Sequence, residues 1–80
     1  METNSKKIIF TAHLIMRLKV RNIKKEHIYE AFRKNKGIKK GYKKANLITA
    51  KVNNSKELTV VYEEKLTTII VITAYWEVKQ

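Results

Sequence analysis

An α+β fold is what this 80-residue chain predicts: two N-terminal helices on a mainly antiparallel four-stranded sheet, in the order β-α-α-β-β-β. Three observations carry the prediction. Apolar residues recur with a helical period between residues 12 and 35. Segments rich in Val, Ile, Thr and Tyr fill the chain from residue 46 onward. No Pro, repeat or low-complexity tract interrupts either half, so residues 1–80 read as a single domain.

Lys7–Phe10 reads as a short first strand. Thr11 is placed to cap a helix from Ala12 to about Arg21. A break at Asn22-Ile23 precedes a second helix, Lys25–Asn35, whose Ile28, Ala31 and Phe32 fall at i, i+3 and i+4. Ile23 and Ile28 have the spacing of a hydrophobic staple, although Lys24 between them is a poor cap. Gly37 suits a helix C-terminus, and residues 37–44 read as a basic loop. Asn46–Val52 and Glu57–Glu63 flank a turn-forming Asn53-Asn54-Ser55-Lys56. The last strand, Thr67–Trp76, contains Ile69-Ile70-Val71-Ile72, apolar on both faces, and so belongs inside the sheet.

Composition narrows the function classes. Hydrophobic residues at 44% and charged residues at 31% are a globular balance. With no Cys, thiolate metal sites and disulfides are excluded. No apolar run approaches the roughly 18 residues of a membrane span. Ile8-Ile9-Phe10 is too short for a signal-peptide core, so a cytoplasmic protein without a membrane partner is expected. The absence of Asp argues against a carboxylate-rich two-metal nuclease, and His13 and His27 lack metal-ligand spacing, so no metal or other cofactor is expected.

The net charge is +11, and residues 1–44 carry all of the excess, whereas residues 45–80 are balanced. Arg33, Lys34, Lys36, Lys39, Lys40, Lys43 and Lys44 follow one another with no acid between them. Such a one-sided field attracts polyanions. Lysine enrichment from an AT-rich genome is the plainer account, but it should raise Glu about as much, and Glu stays low.

The first helix holds the most specific pattern. Residues advance about 100° per step, so from His13 at zero Arg17 falls near 40° and Arg21 near 80°. Leu14, Ile15 and Leu18 turn toward the sheet, at roughly 100° to 200°. Two of the three Arg therefore share a stripe with an imidazole. A solvated stripe is the plainer reading, yet Arg offers a planar fork for phosphate that Lys cannot copy.

The same residues carry a resemblance. Thr11-x-His13-x3-Arg17-x3-Arg21-x-Ile23, followed by a helix with Ile28 and Ala31-Phe32, resembles a family of small bacterial and archaeal domains of unknown function. In that family a T-x-H-A-x-x-R-M-x-x-R-G-I-type segment leads into two helices. Leu58–Glu63 and Ile70–Tyr75 resemble its closing hairpin. Those domains are similar to BrnT-type toxins and, more distantly, to the RelE/ParE toxins. Here Leu14 replaces a small residue, Leu18 the Met, Asn22 the Gly and Lys24 the capping Ser. The resemblance implies a RelE-like, metal-independent ribonuclease fold. It also implies a toxin acting on RNA, ribosome-bound mRNA included, and held inactive by an antitoxin with an acidic segment.

Metal-free RNA cleavage needs a base for the 2′-hydroxyl proton, an acid for the leaving 5′-oxygen and cations for the phosphorane. Imidazole titrates near neutrality, so His13 could be base or acid. Arg17 would hold the phosphate and Arg21 extend the grip. Tyr62 and Tyr75, on adjacent strands, could orient a phosphate or stack a base, and Tyr75 joins His13 and Arg17 as a catalytic candidate. Lys39, Lys40, Lys43 and Lys44 would bind neighbouring phosphates, with Tyr42 stacking among them. The plainer reading makes Tyr62, Tyr75 and Trp76 core or rim aromatics and His27 an exposed residue without a role. Two rivals share the expected fold: a non-catalytic module gripping nucleic acid or an acidic protein, and a ParE-like toxin acting on a protein target.

Overall fold

β1 (Lys7–Phe10) ends where Thr11 turns the chain into α1 (Ala12–Val20). Thr11 is extended, and its hydroxyl accepts the Leu14 backbone N–H at 3.1 Å, the cap its position predicts. The computed structural model describes residues 6–41, 43–52 and 56–77.

α1 closes on a Schellman turn. Ile23 N–H bonds Leu18 C=O at 2.9 Å and Asn22 N–H bonds Lys19 C=O at 3.2 Å. The turn requires the left-handed conformation that Asn22 adopts, at φ 59°. Asn is among the residues other than Gly that tolerate this conformation best. Ile23 and Leu18, the apolar pair of the motif, are both buried.

α2 (Lys25–Lys34) starts without help from the Lys24 side chain, since an ammonium has no acceptor. His27 supplies it instead: its Nδ1 accepts the Lys24 backbone N–H at 3.0 Å. His27, expected to be exposed and idle, is half-buried, with its ring edge-on to Trp76 at 5.3 Å between centroids. The staple pair Ile23 and Ile28 is buried. α2 ends at Asn35, whose side chain bonds Phe32 C=O and Gly37 N–H.

The sheet differs from the expected four, mainly antiparallel, strands. β2 (Lys39–Lys40), β3 (Asn46–Lys51), β4 (Glu57–Glu64) and β5 (Thr68–Trp76) join β1 in a five-stranded mixed sheet ordered β1-β5-β4-β3-β2. β1 runs parallel to β5, and the other neighbours are antiparallel. The extra strand forms inside the expected basic loop because Gly41 N–H bonds Ala45 C=O at 2.8 Å, folding Lys39–Lys40 back onto β3. The predicted turn between β3 and β4 falls at residues 53–55, outside the described residues.

Both helices cover one face. Leu14, Leu18, Ile28, Ala31 and Phe32 form a single core with Ile48, Val60, Tyr62, Ile69, Val71 and Ala74. The opposite face carries no helix among the described residues, and there Thr59 is held between Thr49 and the Glu77 carboxylate.

β5 holds a bulge that decides what faces where. Val61 pairs with Thr73 and Tyr62 with Val71, so Ile72 is an extra residue. From Ile69 and Val71, plain alternation would carry Thr73 and Tyr75 onto the helix-covered face. The bulge shifts the period by one, so Ala74 and Trp76 join the core and Tyr75 does not.

Candidate functional site

β1 pairs with β5 only as far as Phe10 and Val71, which leaves the edge of β5 from Ile72 onward without a strand beside it among the described residues. α1 lies along that edge. Arg21 Nη1 donates to Ala74 C=O at 2.9 Å and to Thr73 Oγ1 at 3.1 Å. Trp76 Nε1 donates back to Arg21 C=O at 3.0 Å. Arg21 thus fixes the helix against the strand by satisfying a carbonyl that β1 does not reach.

This stitch creates a hollow of about 400 Å³ lined by His13, Arg17, Arg21, Ile72, Thr73 and Tyr75. His13 and Arg17 are exposed, so the helical stripe is oriented as its angles predict. Tyr75 reaches the same hollow because the Ile72 bulge turns it out of the core. Among the described residues, no acidic side chain lines the hollow. Two guanidiniums stand there beside an imidazole, a combination suited to an anion and to proton transfer next to it.

A second hollow, about 310 Å³, lies on the other flank of the stripe, lined by His13, Arg17, Arg21, Met16 and Val20. Its lining is largely apolar.

Other expected site residues fall elsewhere. Tyr62, expected at a phosphate or base, is only 2% exposed and packs against Phe32 with centroids 4.9 Å apart. Burial, and after it the charge of Glu64, pushes its phenol up from the ordinary value. Its ring belongs to the core, leaving no face for a base. Lys39, Lys40, Lys43 and Lys44 do not rim the hollow. They lie at the β2 edge, separated from β5 by three strand spacings, about 14 Å. Lys40 Nζ bonds Asn46 Oδ1 at 3.2 Å. Lys34 pairs with Glu30 at 2.6 Å and holds that carboxyl below its usual range. Tyr42 lies outside the described residues.

Residues 10–76 match the family described as "Domain of unknown function (DUF4258)". The chain belongs to that family. The DUF4258 match begins at the end of β1 and closes at the end of β5, so it spans every residue of both hollows. No curated protein and no solved structure matches the chain.

Sequence reasoning missed Thr73 and Ile72 in this DUF4258 domain, together with the apolar flank made by Met16 and Val20. The one available signal was the helical angle: Met16 and Val20 fall about 60° and 20° to the far side of His13, away from Leu14 and Leu18. Nothing in the linear pattern gave the bulge. No helix among the described residues is long and apolar enough to cross a membrane.

Proposed function

We propose that this domain is a metal-independent ribonuclease of the toxin type, cleaving RNA by attack of the 2′-hydroxyl on the adjacent phosphodiester. The observation that carries the reading is the convergence of His13, Arg17 and Tyr75 on one open hollow that no acidic side chain among the described residues lines. The +11 charge and the resemblance to BrnT-type and RelE/ParE toxins support it.

The chemistry balances with these groups. The 2′-oxygen bonds to phosphorus as its proton passes to a base, and the bond to the 5′-oxygen breaks as that oxygen gains a proton from an acid. The products are a 2′,3′-cyclic phosphate and a 5′-hydroxyl. His13 and Tyr75 are the proton-transfer candidates, and the Arg17 guanidinium stabilises the phosphorane charge. Arg21 acts through position, because its Nη1 is engaged with Thr73 and Ala74.

The test is cleavage of RNA, with and without ribosomes, by wild type, His13→Ala and Arg17→Ala. The expected result is cleavage by wild type, lost in both variants and on a substrate bearing a 2′-deoxy sugar at the cut. RNA that stays intact with wild type under both conditions would overturn the reading. A second reading, a non-catalytic module for nucleic acid or an acidic protein such as an antitoxin segment, draws on the basic β2 edge, which lies apart from the hollow. Salt-sensitive binding by an inert wild type would favour it.

A further inference from the structure

The His13–Arg17 ridge separates two hollows of different character. Toward β5 the lining is polar and aromatic, with Thr73 and Tyr75. On the other flank Met16 and Val20, one helical turn apart, are 67% and 86% exposed. Isolated apolar side chains on a surface need no explanation. These two are adjacent on one turn, and the two arginines that line the β5 hollow line theirs as well.

We propose that Met16 and Val20 form a shelf for one nucleobase of the RNA strand, next to the phosphate held at His13 and Arg17. The inference rests on the ribonuclease reading and adds to it where the neighbouring base sits. Three features favour a base over a protein partner. The shelf is two side chains wide, far short of the several hundred Å² of a protein docking patch. It is flanked by Arg17 and Lys19, which suit a strand bearing a phosphate at each step. A thioether also makes favourable contacts with aromatic rings, and a base presents such a ring without requiring a matching surface. A strand crossing the ridge would then place one base toward Tyr75 and the next against Met16.

Met1 and Met16 are the only methionines, so methyl labelling gives two signals, and Met16→Ser identifies the one that reports on the shelf. The labelled full chain is titrated with a dinucleoside monophosphate whose 2′-hydroxyl is methylated, and separately with inorganic phosphate. The expected result is a shift of the Met16 methyl with the dinucleotide and none with inorganic phosphate. Met16→Ser and Val20→Ser should each raise KM for RNA at least about fivefold and alter base preference at one position beside the cut. If Arg17 and Tyr75 resonances respond while the Met16 methyl stays still, the shelf is overturned and the ribonuclease reading stands. If none of the three responds, both fall.

Discussion

Trp76 and Arg21 clasp α1 to β5 from both sides: the indole N–H donates to the Arg21 carbonyl while the Arg21 guanidinium reaches the Ala74 carbonyl two residues before Trp76. This reciprocal clasp joins the end of α1 to the open edge of β5 and sets the distance across which His13 and Tyr75 face a shared hollow.

Arg21→Ala leaves the carbonyl of buried Ala74 without its side-chain partner. The expected cost is about 1–3 kcal/mol, read by chemical denaturation. Activity should fall as well, because α1 loses its fixed position against Tyr75.

His13→Ala and Arg17→Ala change exposed side chains and should leave stability within about 0.5 kcal/mol of wild type. Their effect belongs in kcat, with a loss of about 10²–10⁴-fold for His13 in a cleavage assay. A fall in stability matching that of Arg21→Ala would mean that they, too, are structural.

Asn22 occupies a left-handed position. Asn22→Gly should be neutral or slightly stabilising, whereas Asn22→Val should cost about 1–2 kcal/mol. Thermal melts of the two variants check the ordering.

Tyr62 makes stability depend on alkaline pH. Burial raises its folded value above the ordinary 10.0, so folding favours the neutral phenol. That contribution is intact below about pH 10 and is lost as pH rises through the folded value. The stability gap between wild type and Tyr62→Phe should therefore stay flat from neutral pH to about 9 and move against wild type above 10, as denaturation midpoints would record.

Changing Lys39, Lys40 and Lys44 to Gln tests the β2 edge. If RNA runs from the hollow to this edge, removing each phosphate-bound ammonium should shallow the slope of log binding constant against log salt by about 0.7. Cleavage of a dinucleotide too short to reach β2 should be unchanged.

Much of the fold was legible because local signals agreed. Thr11 capped α1, Ile23 and Ile28 bracketed the start of α2, and the β-rich segments formed strands. β2 was illegible: two adjacent lysines have no pattern, and only the return of Gly41 onto Ala45 makes them a strand. The stripe of His13, Arg17 and Arg21 could be read from helical angles alone. Its separation from the lysine run could not, because that depends on β1 pairing with the last strand, a contact between the two ends of the chain. Tyr62 and Tyr75 were indistinguishable by sequence, since only the register shift at Ile72 turns Tyr75 out of the face that Tyr62 shares with the core. His27 gave no signal of its capping role beyond standing three residues after Lys24.

The Ile72 bulge makes the candidate chemistry hostage to a one-residue slip of pairing. Were Ile72 drawn into the ladder, strict alternation would resume, Trp76 would swing outward and Tyr75 inward, and the indole tether on α1 would go with them. Deleting the Ile72 codon would instead remove only the surplus residue and leave those after it on their present faces. An evolving lineage could therefore silence the domain by straightening this strand while leaving every proposed reactive side chain in its gene.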